Sequence, residues 1–199
     1  MSPSCGVSDF ERRLAAARRT ECDAHSALSL RPIADSDLPF LRELYASTRV
    51  NELAPVPWSS DQKVAFLNQQ FDCQHRAYTQ GYPGASLDLI FEDGEPVGRF
   101  YVHRRPGDLR IIDIALIPGA RNRGIGAHCL RALLEEARAL GVTVSIHVEH
   151  SNPAVRLYRR LGFQSVDASG VYVQMEWRPD ADSDSSSSTG LGEQSARPR

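Results

Sequence analysis

The sequence predicts a mixed protein of the α/β or α+β class, in which a central sheet is covered by helices. Two hydrophobic repeats lead to this prediction. Apolar residues three and four positions apart, such as Leu130, Leu133 and Leu134, are typical of a helix with one buried face. Strict alternation, as at Val144 and Ile146, is typical of a strand. Segments of the two kinds follow in the order β-α-α-β-β-β-α-β-α-β-β, separated by glycine and proline turns.

The first half of this pattern predicts one strand, two helices and a hairpin. Asp35 or Ser36 and Ser59 or Ser60 precede the two helical repeats, where a side-chain oxygen can bond the free amides of a first turn. Glu92-Asp93-Gly94-Glu95 has the composition of a hairpin turn. The predicted elements are a strand over 27–33, helices ending near 48 and 80 with a loop over 51–58 between them, and strands over 86–91 and 97–104.

The second half predicts a strand, a long helix, a second strand and helix, and a closing hairpin. Gly141 suits the end of the long helix because glycine readily adopts the left-handed conformation found there. Gly162 ends the short helix in the same way. The predicted elements are a strand over 109–117, a helix over 124–140, a strand over 142–149, a helix over 152–161, and strands over 163–166 and 171–177.

Composition narrows the class of protein. The chain has 199 residues, of which 41% are hydrophobic and 24% charged, with a formal net charge of −2, so a strongly basic nucleic-acid-binding protein is not indicated. No apolar run is long enough for a membrane span, and residues 1–26 lack the apolar centre of a secretion signal. The four cysteines form no Cys-x-x-Cys pair, so no metal site is predicted. We expect a cytoplasmic protein with reduced thiols.

The chain is predicted to have three parts. Residues 1–26 are polar and are expected to form a flexible extension. Residues 27–178 carry the alternating elements and form the folded domain. Residues 179–199 are rich in serine, aspartate and glycine, with little to bury, and are expected to be disordered.

The loop before the long helix predicts a phosphate site. The first amides of a helix have no intrahelical partner and lie at the positive end of the helix dipole. Two glycines, Gly124 and Gly126, remove the side chains that would hold a phosphate away from these amides. A Walker loop would need Gly-Lys-Ser/Thr, and a dinucleotide fingerprint would need a third glycine. Because the chain has neither here, both nucleotide interpretations are weak.

Two motifs in this region resemble those of the GNAT family of N-acetyltransferases. Arg121-x-x-Gly124-x-Gly126 resembles the family signature Arg/Gln-x-x-Gly-x-Gly/Ala. The segment Asn152 to Phe163, NPAVRLYRRLGF, resembles the second landmark, Asn-x-x-Ala-x-x-Leu-Tyr-x-x-x-Gly-Phe, with Ala154 one place earlier than in the commonest version. The two motifs occur in the family's order, and the resemblance extends from about residue 28 to 177.

This resemblance implies a fold and a reaction. The fold would be a twisted mixed sheet of about seven strands flanked by four helices. The reaction would be transfer of the acetyl group of acetyl-CoA to a primary amine, by direct attack in a ternary complex and without a metal. Alternatives are a non-catalytic acyl-CoA-binding module and an acyltransferase that uses another acyl-CoA or a hydroxyl acceptor.

The resemblance also assigns residues to acetyl-CoA. In the family, the amides of the loop hold the pyrophosphate, and an unpaired strand amide, here that of Leu116, binds the acetyl oxygen. Asn152 is expected to cap the following helix and to hold the pantetheine arm. Tyr158 is expected to act as general acid for the departing thiolate, the alternative being a core tyrosine. The loop residues assigned to the pyrophosphate are Arg121, Asn122, Arg123, Gly124, Ile125, Gly126 and Ala127.

The base that takes the proton of the amine is left open. Asp113 is a candidate because a carboxylate in an apolar strand is costly unless it is paired or serves a site. The alternative is an acid satisfied by an arginine or by backbone amides. Glu149 on the next strand is an alternative base, and His147 and His103 are further options. A relay through water, as in many family members, is also open.

The acceptor is not identified by the sequence. A small-molecule amine or a peptide N-terminus is expected, with neither nucleic acid nor membrane as a partner, and the protein is expected to be a monomer or a homodimer. We expect the pocket to be walled by the first two helices, their connection and the turn at 167–170. Candidate lining residues are Glu52, Trp58, Phe71, Asp72 and Tyr78.

Overall fold

The protein forms one seven-stranded sheet with helices on both faces, as seen in a computed structural model that describes residues 28–168 and 170–179. The strands lie in the order β1-β2-β3-β4-β5-β7-β6. They are β1 (Leu28–Pro32), β2 (Ser86–Glu92), β3 (Glu95–Arg105), β4 (Asp108–Leu116), β5 (Thr143–Glu149), β6 (Gln164–Asp167) and β7 (Tyr172–Trp177). Four helices follow the predicted order: α1 (Leu38–Leu53), α2 (Ser60–Gly81), α3 (Ile125–Leu140) and α4 (Val155–Arg160). The predicted fold is confirmed, whereas the predictions for 1–27 and 180–199 concern residues outside those described.

The two faces of the sheet bury separate hydrophobic clusters. Leu89 and Ile90 are successive residues of β2, yet they belong to different clusters, because successive side chains of a strand point to opposite faces. The larger cluster contains the buried stripe of α3, including Leu130 and Leu133. The smaller cluster joins α1 and α2 to the other face through Leu41 and other residues. The helices are therefore fixed on opposite sides of the strands that carry the site.

Most element boundaries differ from the predictions by one or two residues, and two helix boundaries differ by three or more. Helix α1 continues to Leu53, so the predicted loop over 51–58 is wrong for its first three residues. Helix α4 begins only at Val155, because the side-chain oxygen of Asn152 accepts a 2.9 Å hydrogen bond from the amide of Ala154 and holds a turn there. The predicted start of α2 is confirmed: Ser59 caps it in a capping box with Gln62.

The sheet opens along the boundary between its two halves. Strands β4 and β5 are parallel and pair only from Asp108 to Ile111 on β4, opposite Thr143 to Ile146 on β5. Both strands continue beyond these pairs, to Leu116 and Glu149. On its other side, β4 carries a bulge at Ile112, because Tyr101 of β3 pairs with Asp113 and Val102 pairs with Ile111. The carboxyl ends of β4 and β5 therefore separate.

In the ranges 28–168 and 170–179, no helix is both long and apolar enough to cross a lipid bilayer.

Gly98 of β3 is expected to be intolerant of any side chain. A Cβ atom there would lie 2.3 Å from the carbonyl oxygen of Ala115 and 2.6 Å from a methyl group of Leu116. We predict that Gly98→Ala lowers the free energy of unfolding by about 1–3 kcal/mol, because β4 must shift to relieve the overlap. Gly81→Ala is the control, since nothing lies within 4 Å of a Cβ there. Urea unfolding of both variants checks this, and equal stabilities would contradict it.

Candidate active site

A cavity of about 1270 Å³ lies where β4 and β5 separate. Residues from α1, α2, β3, β4, β5 and α4, together with the loop before α3 and the first turn of α3, line it. Many of the residues assigned from sequence share this lining. They are Asp113, Leu116, Arg121, Asn122, Gly124, Ile125, Gly126, Ala127, Glu149, Asn152 and Tyr158. Of the residues assigned to catalysis or to acetyl-CoA, Arg123 alone is not among the lining residues.

The amide of Leu116 faces the gap between the strands. The amide of Ile117 donates to the carbonyl of Val97 on β3 at 2.9 Å. Because the hydrogen-bonding groups of a strand alternate from side to side, those of Leu116 point away from β3, towards the side that β5 has left. The carbonyl of Leu116 accepts a 2.9 Å bond from Nε of Arg121. An amide donor thus faces the cavity without a neighbouring strand opposite it.

The first amides of α3 point into the same cavity. Gly124 precedes the helix with φ of 89°, in the left-handed region that glycine adopts without strain. Asn122 also has a positive φ, 59°, which asparagine tolerates better than most residues. The amides of Ile125, Gly126 and Ala127 have no helical carbonyl one turn earlier to bond, whereas that of His128 donates to the carbonyl of Gly124, and the helix dipole adds positive potential. This wall suits an anionic group such as phosphate.

The two arginine side chains of this loop are engaged within the protein. Arg121 bonds the Leu116 carbonyl and also contacts the hydroxyl of Ser47 on α1 at 3.2 Å. Arg123 forms a two-pronged pair with Glu92 at the end of β2, with distances of 2.9 and 3.0 Å. These contacts fix the loop against α1 and β2, so its amides are held in place before any ligand binds.

Tyr158 lies buried on α4, facing the cavity. Its ring is 2% exposed and packs edge-on against Phe163 at 5.6 Å between centroids. Burial raises the pKa of its phenol above the ordinary value, and the charge of Asp113 adds to the rise. A higher pKa means that the phenol keeps its proton throughout the neutral range. Tyr158 therefore places a protonated phenol on the cavity wall.

Asp113 is paired with a buried arginine. One of its oxygens lies 2.6 Å from Nη2 of Arg99, a β3 residue that is 4% exposed. The same Nη2 atom donates to the side-chain oxygen of Gln74 on α2 at 2.8 Å. Taking up a proton would cost Asp113 this ion pair. Asp113 thus has the arginine partner that is expected of a structural acid, which was the alternative to a catalytic base.

Two tyrosines enclose the Arg99–Asp113 pair. The guanidinium lies 6.0 Å from the ring centre of Tyr78 and 5.4 Å from that of Tyr101. Burial and the charge of Asp113 raise the pKa of Tyr78, and burial raises the pKa of Tyr101 to about 12. Within the described part of the chain, the buried Nε of Arg99 and the hydroxyl of Tyr101 have no hydrogen-bond partner.

Of the other candidate bases, Glu149 is best placed. It ends β5, lines the cavity and is half-buried. His147 also reaches the cavity, but its Nδ1 contacts Nη2 of Arg110 and its Nε2 lies 3.2 Å from the side-chain oxygen of Gln174. Since one ring nitrogen must accept and the other donate, its lone pair is already used. His103 packs edge-on against Tyr82 at 5.7 Å.

The predicted acceptor residues divide into two groups. Glu52 and Tyr78 line the cavity. Phe71 instead lies in the smaller core, and Asp72 pairs with Arg42 at 2.7 Å. Trp58 packs against Phe66 with ring centres 5.3 Å apart. A smaller cavity of about 420 Å³ adjoins the first at His147 and Tyr172, and its other lining residues are Asp167 and Gln174.

Sequence reasoning missed several residues of the wall. Arg99 carried a usable signal, because a charge within an otherwise apolar central strand requires a partner of opposite charge. Gln74 and Arg49 lie on polar helix faces and gave no such signal. They line the cavity because α1 and α2 cross the open end of the sheet.

Comparison with known proteins assigns the chain to a class of enzyme. Residues 40–163 match the acetyltransferase (GNAT) family, and the chain belongs to this family. Family membership makes the protein an acetyltransferase. Among its relatives is the L-methionine sulfoximine/L-methionine sulfone acetyltransferase of Pseudomonas paraeruginosa, which is 30% identical over 149 residues, covering 68% of this chain and 80% of the relative.

Solved structures share the fold. The PaiA N-acetyltransferase of Thermoplasma acidophilum, in complex with coenzyme A, superposes with a TM-score of 0.58 at 17% identity, covering 76% of this chain and 99% of that chain. The ribosomal-protein-S18-alanine N-acetyltransferase of Escherichia coli superposes with a TM-score of 0.51 at 19% identity, covering 79% and 98% of the two chains. Because these two structures are only 17% and 19% identical to this chain, their superposition shows a shared fold alone.

The Arg99–Asp113 pair is expected to be necessary for stability. We predict that Arg99→Met lowers the free energy of unfolding by about 3 kcal/mol, because it leaves a largely buried carboxylate unpaired. The double variant Arg99→Met/Asp113→Asn should recover at least about 1 kcal/mol, since the unpaired charge is then gone. Urea unfolding measures both, and a double variant less stable than Arg99→Met would contradict the charge argument.

Proposed function

We propose that this protein is an N-acetyltransferase that moves the acetyl group of acetyl-CoA to a primary amine by direct attack. One observation carries the proposal: the Leu116 amide, the first amides of α3 and the phenol of Tyr158 all line a single cavity. These groups are a donor for a carbonyl oxygen, a seat for phosphate and a proton donor for a leaving group. Together they match the requirements of acyl transfer from a thioester.

The residues of the wall fit coenzyme A. Gly124 and Gly126 leave the loop backbone bare, and the side chains of Arg121 and Arg123 are held aside by their own contacts. The loop from Arg121 to Ala127 would hold the pyrophosphate through its amides. Arg156 and Arg160 of α4 also line the cavity and offer positive charge to phosphate groups. Asn152 would face the pantetheine arm while its side chain caps the turn before α4.

Two groups of the protein would stabilise the reaction. Acetyl-CoA supplies, when bound, an acyl group that is activated towards amines by its thioester. The Leu116 amide would donate to the acetyl oxygen, which gains negative charge as the amine attacks. Tyr158 would give its proton to the sulfur as the carbon–sulfur bond breaks and the carbon–nitrogen bond forms. Burial keeps the phenol protonated, but the raised pKa also makes it a weaker acid, so its proton would move to the sulfur only together with cleavage of the carbon–sulfur bond.

Glu149 is the group that we propose as acceptor of the amine's proton, directly or through a water molecule. Asp113 was the first candidate from the sequence, but its pairing with Arg99 supports a different role, as a fixed negative charge near the neutral amine, whose nitrogen becomes positive as the carbon–nitrogen bond forms. The proton taken by Glu149 would return to Tyr158 through solvent after the products leave. No metal enters this scheme.

The acceptor is proposed to be an amino acid or a protein N-terminus. The Pseudomonas relative acetylates the amino-acid analogues L-methionine sulfoximine and L-methionine sulfone. The structural neighbour from Escherichia coli is an acetyltransferase for the alanine of ribosomal protein S18. Both acceptors present a primary amine on the carbon beside a carbonyl carbon.

Coenzyme binding is tested at Gly126. A Cβ atom there would make only ordinary contacts, the nearest at 3.8 Å from a methyl group of Leu116, so Gly126→Ala should bind coenzyme A. Gly126→Glu should lose about 100-fold in affinity, because a carboxylate beside the diphosphate costs on the order of 3 kcal/mol. Titration calorimetry measures both variants. Equal affinities would place the coenzyme elsewhere and remove the basis of the proposed function.

The acid role is tested at Tyr158. Tyr158→Phe should lower kcat by about 10²-fold or more while leaving the Kd of acetyl-CoA within about twofold, because only proton donation is lost. Release of free thiol from acetyl-CoA in the presence of amines measures kcat. Tyr82→Phe is the control, since Tyr82 packs on His103 away from the cavity lining. Unchanged turnover in Tyr158→Phe would remove its role, and coenzyme binding without turnover by the unmodified protein would indicate a binding module.

A further inference from the structure

Arg49 places a positive charge in the acceptor part of the cavity. It lies near the end of α1 and lines the cavity together with Tyr45, Thr48 and Glu52 of the same helix. Its side chain is 33% exposed, so it is reachable by a ligand but partly shielded from bulk water. Neither the family motifs nor the proposed reaction gives this guanidinium a role.

The Arg49 guanidinium is hydrogen-bonded to Glu52 through Nη1, and its opposite edge, Nε and Nη2, is available to a ligand. Its Nη1 atom donates to the two oxygens of Glu52 at 2.9 and 3.2 Å, and the group lies 6.0 Å from the ring centre of Tyr45. Within the described part of the chain, Nε and Nη2 make no hydrogen bond. This pair of parallel donors is the edge that binds a carboxylate with two bonds. The Glu52 pair orients Arg49 without neutralising it strongly, because partly exposed pairs of this kind are weak.

A negative group, Glu149, lines the same cavity as Arg49. Burial disfavours the charge of Arg49, yet its pKa is raised, because Glu52 bonds it and Glu52, Tyr45 and Glu149 attract it. Glu149 is also the proposed acceptor of the amine's proton. A free amino acid carries an ammonium and a carboxylate on one carbon, and the cavity offers a carboxylate and a guanidinium for the two groups.

We propose that Arg49 binds the α-carboxylate of the acceptor, and that the acceptor is a free amino acid. This assignment rests on the proposed function, since it concerns the second substrate of the same cavity. A peptide N-terminus has a neutral amide where the amino acid has its carboxylate. An amide cannot form the two-bond contact with a guanidinium edge, so Arg49 would discriminate against it.

The test compares each acceptor with its own α-amide. Thiol release from acetyl-CoA is measured with the common L-amino acids and L-methionine sulfone, and with the α-carboxamide of each. We expect the best amino acid to exceed its amide at least about tenfold in kcat/KM. In Arg49→Gln this ratio should fall to about 1, mainly through a higher KM for the acid.

Arg42→Gln is the matched control. Arg42 lies two turns earlier on α1, is 34% exposed, pairs with Asp72 at 2.7 Å and lies 5.0 Å from the ring centre of Phe71, but it is not among the residues that line the cavity. Arg42→Gln should keep the full preference for the acid. A loss of preference in both variants would mean that any arginine on α1 acts through general charge, which would overturn the assignment to Arg49.

Two outcomes separate this proposal from the proposed function. If amides or peptide N-termini are acetylated as well as acids, or if Arg49→Gln keeps the preference, the carboxylate site is wrong while the acetyltransferase stands. If no amine releases thiol, the proposed function fails. Thermal shifts in the presence of coenzyme A then still test Arg49: amino acids, but not their amides, should raise the Tm of the unmodified protein and not that of Arg49→Gln. Equal shifts in both proteins would overturn the proposal.

Discussion

The separation of β4 and β5 is the feature on which the rest of the site depends. Parallel pairing stops after four residue pairs, at Ile111 and Ile146, although both strands continue. A bulge at Ile112 turns the unpaired end of β4 while keeping it bonded to β3. Because β3 holds one side of the strand, the hydrogen-bonding groups of Leu116 are left facing the gap. Helices α3 and α4 begin beside that gap, so the first amides of α3, the phenol of Tyr158 and the amide of Leu116 line the same cavity.

Burying charged and polar groups at the open end of the sheet costs free energy of solvation. Arg99 and Asp113 bring charge into the middle of the sheet, where an ion pair recovers only part of the cost of leaving water. The unpartnered Nε of Arg99 and hydroxyl of Tyr101, among the described residues, add to that cost. Gln74 of α2 accepts a hydrogen bond from Arg99. The contacts that offset the cost of burying Arg99 and Asp113 therefore also hold α2 against the sheet.

The order of strands and helices was largely predictable from local patterns, whereas the arrangement of the strands in the sheet came from the resemblance to the GNAT family. Period-two and period-three-to-four repeats marked every strand and helix, and Gly124 and Gly126 marked the phosphate loop. Contacts between distant segments were not predictable in this way. Nothing in the residue type of Leu116 reveals a free amide, and the pairing of Asp113 with Arg99 depends on the register of β3 with β4. Arg49 and Gln74 on polar helix faces look like any solvated residue until the helices are placed over the gap.

The side chain of Arg121 connects the loop before α3 to helix α1. Its guanidinium holds the Leu116 carbonyl with one nitrogen and Ser47 of α1 with another. Ser47 lies two residues before Arg49 on the same helix, so Arg121 connects the loop to the helix that carries Arg49. By thermodynamic reciprocity, a coupling of this kind makes each substrate sensitive to the presence of the other.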